Sequence, residues 1–375
     1  MIEDLEIESF RGLGGIALAR LARVNVIVGP NATGKTALLE ALTLGCRASP
    51  QTALAMWQGR AQSQFVPAGT AGFQAVWSGF FPGLDFSRDV VIRYRDSILG
   101  ERALRIALAP SPPMIASGAG AAPIPPLPTG GMEPRKVIFE RTSAAFREVG
   151  QVSSYVGPQG ELIVENADPI GPATAFFPAF IPPNEHDNIT WLSQLSVARR
   201  ESDALEVLKQ EYPFIESLDV LSPYGIQGIF VSQSGMPNKL PIGLVSSGIH
   251  KILTLILVSL LYEGGIILVD EIENGIFHER YESVWRLLRR LAAERKNQIF
   301  VTSHSLECLN AALPEVRCAP EDFGLIRMER GRSGIVARRF GGREFEAALQ
   351  QGVDPRGNDK RLVRSGAGAV RSGTG

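Results

Sequence analysis

Gly29-Pro30-Asn31-Ala32-Thr33-Gly34-Lys35-Thr36 fits the pattern G-x-x-x-x-G-K-[ST], whose meaning depends on its flanks. The apolar run Val24-Asn25-Val26-Ile27-Val28 leads in as a buried strand. Lys35 to Leu44 leads out as a helix. In that strand–loop–helix setting the glycines allow a tight turn and bring backbone N–H groups against phosphate oxygens. The helix N-terminus adds its partial positive charge. Lys35 would reach the β- and γ-phosphates, and the Thr36 hydroxyl would hold Mg²⁺. These residues imply a nucleotide site.

Outward from the loop, the chain has 375 residues, 45% of them hydrophobic and 21% charged, enough for one large domain or two ordinary ones. A formal net charge of −1 gives no overall pull toward nucleic acid or membrane. Cys46, Cys308 and Cys318 form no C-x-x-C pair, which points to a reduced, cytoplasmic setting. The acidic, alternating start MIEDLEIESF is unlike a signal peptide. The longest apolar stretch, residues 252–261 (ILTLILVSLL), is too short to span a bilayer and reads as a buried helix.

Residues 2–10 alternate like a half-buried strand, and a turn at 11–15 leads to a second strand near 16–18. Strands are expected at 89–95, 103–109, 136–141 and 161–165. Between the second and third of these, residues 110–134 are low complexity with eight prolines and read as a mobile loop. Helices are expected at 187–199 and 202–211, strands at 214–221 and 226–232. From residue 245, helix and strand alternate (strands at 265–269 and 298–302, a helix at 279–295). This alternation predicts an α/β fold with a mainly parallel sheet and helices on both faces.

The second half of the site is read from strand ends. Ile266-Ile267-Leu268-Val269 runs into Asp270-Glu271, a central strand delivering carboxylates to the edge where open parallel sheets bind ligands. Asp270 would orient Mg²⁺, usually through water. Glu271 would polarise the attacking water, as general base or by hydrogen bonding. The strand 299–302 ends in Ser303-His304-Ser305, placing His304 to reach the γ-phosphate and that water. His250 and His278 lack such a setting and read as structural. Val245-Ser246-Ser247-Gly248 opens a helix, a second anion-binding setting, and Gly248 precedes Asp270 by 22 residues.

In this order the motifs resemble the ABC-type ATPase heads of the SMC/RecF/OLD group, over roughly residues 1–45 and 213–330. VSSGIHK is similar to the group's signature, VDEIENG…H to its Walker B and D-loop, and VTSHS to its switch histidine. The resemblance implies a P-loop NTPase with an ABC-type head formed by residues 1–45 and 213–345. A β-rich and helical lobe would be inserted at 46–212, and 346–375 would be a flexible tail. It also implies ATP held by Gly29–Thr36 of one subunit and by Ser246 and Gly248 of a second, with Asn274-Gly275 at the seam. Two positions depart from the pattern. Ile249 replaces the usual Gln or Glu, and Ala32 replaces a loop glycine. No long coiled coil is inserted, so the chain resembles the compact RecF- and OLD-like branch. The 71 residues after His304 hold no convincing metal–carboxylate cluster, so a nuclease would come from a partner chain.

The leading expectation is a Mg²⁺-dependent ATPase that dimerises head to head on ATP and drives or gates an effector in DNA repair, DNA metabolism or anti-phage defence. The alternatives are the ATP-binding subunit of a transporter with a separate permease, and a GTPase switch. The GTPase reading lacks the guanine-reading aspartate after Asn238-Lys239. DNA is a candidate partner: residues 327–343 hold six arginines against one glutamate, and the tail from Val353 is basic. Those charges also fit a solvated basic face.

Overall fold

The computed structural model describes residues 1–61, 66, 68–110, 135–143, 150–157, 161–165, 171–179, 184–332, 334–352 and 354–357. The low-complexity stretch from 111 to 134 and the tail beyond 357 lie outside the described residues. Packing divides the chain into two compact units. One holds Met1–Asp4, Ala17–Thr43 and the described residues from Pro172 on. The other holds Leu5–Ile16 and the described residues of Leu44–Gly171.

A six-stranded sheet organises the first unit, in the order Gly334–Gly341, Phe323–Gly331, Val24–Val28, Gln298–Thr302, Ile266–Val269, Thr174–Phe177. The last five run parallel and the first is antiparallel to its neighbour. Val24–Val28, Ile266–Val269 and Gln298–Thr302 are buried at every residue, as a parallel sheet covered on both faces requires. Register then makes the site. Val301 pairs with both Val26 and Val269, so the residues just past these three strands emerge side by side at one edge.

The helix Ser247–Leu261 is buried at nearly every residue from Ile252 on, and Ile249, Ile252, Leu253 and Leu255–Val258 lie in the same core as Val24, Val26 and Ile267. At a position such as Leu257, truncation to Ala would cost about 2–5 kcal/mol. Against this helix pack Glu185–Val197 and Glu201–Glu211, which bury Ile189, Leu192, Leu195, Ala204, Val207 and Leu208.

The packing therefore draws the boundary at a different place from the expected 46–212 lobe. Residues 172–212 belong with the phosphate-loop unit, because Thr174–Phe177 pairs with Ile266–Val269 and the two helices share its core. A small antiparallel sheet (Ile215–Leu221, Gly228–Gln233, Leu240–Pro241) lies in this unit as well.

The second unit is built on a seven-stranded sheet, in the order Leu13–Leu18, Ile2–Phe10, Val90–Asp96, Gly100–Pro110, Arg135–Ser143, Gly150–Val156, Leu162–Val164. From Val90 onward successive strands pair antiparallel. Its core is aromatic. Phe10 meets Phe80, and Trp77 meets both Phe80 and Phe139. Among the described residues no helix is long and apolar enough to cross a membrane.

Candidate functional site

The phosphate loop is held open by backbone that few side chains tolerate. Gly29 has φ +145°, and a Cβ there would lie 2.2 Å from the Met328 carbonyl oxygen. Only glycine fits that approach. Gly34 has φ +84°. Ala32, the residue that departs from the resembled pattern, sits at φ +60° in the left-handed region. Thr33 Oγ1 donates to the Pro30 carbonyl at 2.7 Å. Lys35 Nζ donates to the carbonyls of Gly29 at 2.8 Å and Pro30 at 3.1 Å, so its ammonium lies across the loop. Burial pushes the Lys35 pKa down, while Asp270, Glu271 and Glu273 pull it up.

Asp270, 4% exposed, ties the loop to the sheet. Its Oδ2 accepts from Thr36 Oγ1 at 2.8 Å and its Oδ1 from Thr302 Oγ1 at 2.6 Å. Thr302 Oγ1 in turn accepts from the Glu271 N–H at 2.7 Å. Glu271 has φ +49°, a conformation a non-glycine residue keeps only when its neighbours impose it. Its carboxylate oxygen Oε1 lies 3.6 Å from His304 Nδ1. That is an electrostatic approach longer than a hydrogen bond.

Glu273, given no role in the VDEIENG segment that contains it, fixes the histidine. One of its oxygens accepts from the backbone N–H groups of His304 at 2.9 Å and Ser305 at 3.1 Å. That oxygen is also 3.6 Å from His304 Nδ1. The Arg356 guanidinium, clasped by Asp354, donates to the His304 carbonyl at 2.6 Å. Thr302 and Glu273 lie inside the VTSHS and VDEIENG segments, but the sequence reading gives them no role there, and Arg356 lies outside every motif read in the sequence. The only signal in the sequence is a third acid two residues after Asp270-Glu271.

Ser246 and Gly248 stand apart from this group. Ser246 caps the helix Ser247–Leu261, its Oγ accepting from the Gly248 N–H at 3.2 Å. A Cβ on Gly248 would lie 2.8 Å from the Gly275 carbonyl oxygen. The Ile276 Cα would lie 3.7 Å from the same Cβ, so Gly248 is packed against the turn at Gly275-Ile276. From the same helix Lys251 Nζ donates to the carbonyls of Glu271, Ile272 and Asn274. Burial pushes its pKa down to about 8, against the pull of Glu273, Cys308, Glu271 and Asp270.

His250 is packed against Asn188 Nδ2 at 2.8 Å and Glu185 Oε2 at 3.2 Å, with burial pushing its pKa down. That matches the structural role expected of it. Of the six arginines at 327–343, Arg327 is buried, ion-paired to Glu329 at 2.6 Å and stacked over the Phe340 ring. Arg339 is partly buried, and that burial pushes its pKa down. The strip is not a uniform basic face.

Residues 134–310 match the family model described as "AAA domain, putative AbiEii toxin, Type IV TA system". The span includes Ser246, Gly248, Asp270, Glu271 and His304 and begins after the phosphate loop. No curated protein sequence matches the chain. Among solved structures, the SMC head domain from Thermotoga maritima is similar at 12% identity, covering 90% of this chain and 98% of that one, with a TM-score of 0.42. An Smc head domain with an extended coiled coil, bound to the C-terminal domain of ScpA from Pyrococcus furiosus, is similar at 10% identity, covering 93% and 98%, with a TM-score of 0.46. An Smc head bound to the C-winged helix domain of ScpA is similar at 12%, covering 91% and 98%, again at 0.46. None of these supports the transporter alternative. The phosphate loop, the acidic strand end and the histidine strand thus lie in one parallel sheet, and over residues 134–310, a little under half of its length, the chain is similar to the AAA domain that the family model describes.

Proposed function

We propose that the protein binds ATP with Mg²⁺, hydrolyses it, and closes head to head as a homodimer around two nucleotides. The cycle drives or gates a separate effector, such as a nuclease, in DNA repair, DNA metabolism or anti-phage defence. The observation that carries this reading is the 2.8 Å hydrogen bond from Thr36 Oγ1 to Asp270 Oδ2. It joins the two motifs across the sheet edge where a nucleotide's terminal phosphates would lie.

A hydroxyl and a carboxylate are hard oxygen donors, and two of them leave positions for water and phosphate oxygens. That donor set fits Mg²⁺, with Thr36 and Asp270 as the residues that would hold it. Bound there, the ion would offset charge on the β- and γ-phosphate oxygens. Backbone N–H groups of Gly29–Thr36 and the Lys35 ammonium would address the same phosphates. Glu271 would orient and polarise the attacking water. His304, steadied by Glu273, would meet the γ-phosphate and that water. Ser246 and Gly248, at the first turn of their helix with Gly248 against Gly275, suit a nucleotide held by a second copy. The description of the matched family, a toxin of a type IV system, favours a defence setting for the effector.

Lys35→Ala is the direct test. Loss of the ammonium should abolish turnover, and Mg²⁺ removal should do the same. A purified, folded Lys35→Ala protein as active as the parent would sink the site assignment.

A further inference from the structure

We propose that Lys251 is a positioning residue that sets Glu271 from the helix whose first turn carries Ser246 and Gly248, so that the signature end and the hydrolytic carboxylate are held as one piece. The inference rests on Glu271 being the group that polarises water.

Lys251 Nζ donates to Glu271 O at 2.9 Å, Ile272 O at 3.1 Å and Asn274 O at 3.1 Å, using all three ammonium hydrogens. Those carbonyls belong to the turn in which Glu271 is kept at φ +49°. On its other side the turn is tied by the Glu271 N–H to Thr302 Oγ1. Three residues before Lys251 on the same helix face, Gly248 abuts the far end of the turn, with room for no Cβ beside Gly275 O. Helix and turn are thus joined at two points. A charge drawn this far from water costs free energy unless its bonds are made. Without the Lys251 bonds, the turn loses its polar tie to the helix, and Glu271 is freed to leave the left-handed region. A shift of the helix when Ser246 and Gly248 engage a nucleotide would be passed to Glu271 through Lys251.

Lys251→Met fills similar volume without donors. It should leave ATP affinity, read with a fluorescent ATP analogue, within about twofold, while kcat falls by about tenfold or more, the scale for lost supporting partners. Acting through Glu271, it should cost less than about a further twofold in a Glu271→Gln background. Parent-like kcat in Lys251→Met overturns the proposal. So does a joint loss of affinity and turnover, or a multiplicative double variant. If Lys251→Met fails to fold by near-ultraviolet circular dichroism, Lys251→Gln is read in the same way. Glu271→Gln turning over like the parent would instead sink the Glu271 reading, whereas a slow Glu271→Gln beside a fast Lys251→Met sinks only the role of Lys251.

Discussion

The two compact units use β-structure for opposite ends. In the phosphate-loop unit the central strands are short, wholly buried and parallel, so the candidate site residues gather just past their C-terminal ends: Gly29–Thr36, Asp270-Glu271 and His304. In the other unit the strands from Val90 onward pair antiparallel, and Val90–Asp96 alternates buried with more exposed residues. Their outward faces are laced by ion pairs. Arg105 bonds Asp89 and Glu140, and Arg93 bonds Glu6 and Glu8. A parallel sheet concentrates loops at one edge, and an antiparallel meander ties its polar groups to one another. The contrast teaches where substitutions should matter for turnover and where only for stability.

Glu271→Gln should give the sharpest break. It keeps side-chain size and hydrogen bonding but removes the carboxylate, and phosphoryl transfer depends on positioning and charge. Binding should survive, hydrolysis should slow by about 100-fold or more, and the protein should accumulate as an ATP-bound dimer. Adding Ser246→Arg should return it to a monomer that still binds ATP, with about 1 kcal/mol lost from the helix cap. Sedimentation with Mg²⁺-ATP reads both. A Glu271→Gln protein whose mass is unchanged by ATP counts against the sandwich. Ile249, at the signature position where the resembled group carries Gln or Glu, is where such a failure would be sought first.

What the sequence disclosed divides along the same line. Runs of four or five mainly apolar residues ending in Gly29, Asp270 and Ser303 announce buried parallel strands and their edge, so the sheet edge that carries the candidate site was legible. The fifth parallel strand, Thr174–Phe177, was not. Pro172 and Pro178 flank it and disguise it as loop, yet it needs only one partner because it is the sheet's edge. Gly150–Val156 was missed for another reason. Ser153 and Ser154 are buried in it, with the Ser153 backbone N–H donating to Glu165 and the Ser154 hydroxyl to the Ile163 carbonyl, so no apolar alternation shows. Glu273 and Lys251 sit inside the quoted motifs, but their roles come only from what they touch across the fold. The basic hairpin misled by composition, since Arg327 serves the interior.

DNA binding sharpens the contrast at intermediate strength. If exposed arginines of the hairpin meet phosphates, with Arg327 unable to join, affinity should fall by about tenfold per decade of salt for each phosphate neutralised. A titration at two salt concentrations, with and without ATP, measures this. Undetectable binding at low salt leaves a solvated face.

In the meander, Arg105→Ala removes two half-exposed ion pairs, so stability should drop by about 1 kcal/mol or less, with kcat and ATP affinity unchanged. A loss of turnover beyond about twofold would mean that this sheet takes part in the cycle, and the division of labour between the two units would fall.

The smallest effect expected lies in the loop itself and runs toward stability. Ala32 at φ +60° carries the left-handed penalty that its Cβ imposes. Glycine at this position relieves that strain but adds freedom to the unfolded chain, and the two partly cancel. Ala32→Gly should therefore raise unfolding free energy by about 0.5–1 kcal/mol. Its backbone N–H is unchanged, so ATP affinity should stay within about twofold. Urea unfolding with and without Mg²⁺-ATP separates the two quantities. A destabilised Ala32→Gly would mean that the methyl group makes packing contacts outweighing the strain. A large change in affinity would mean that the loop's shape, and not only its N–H groups, is set by that residue.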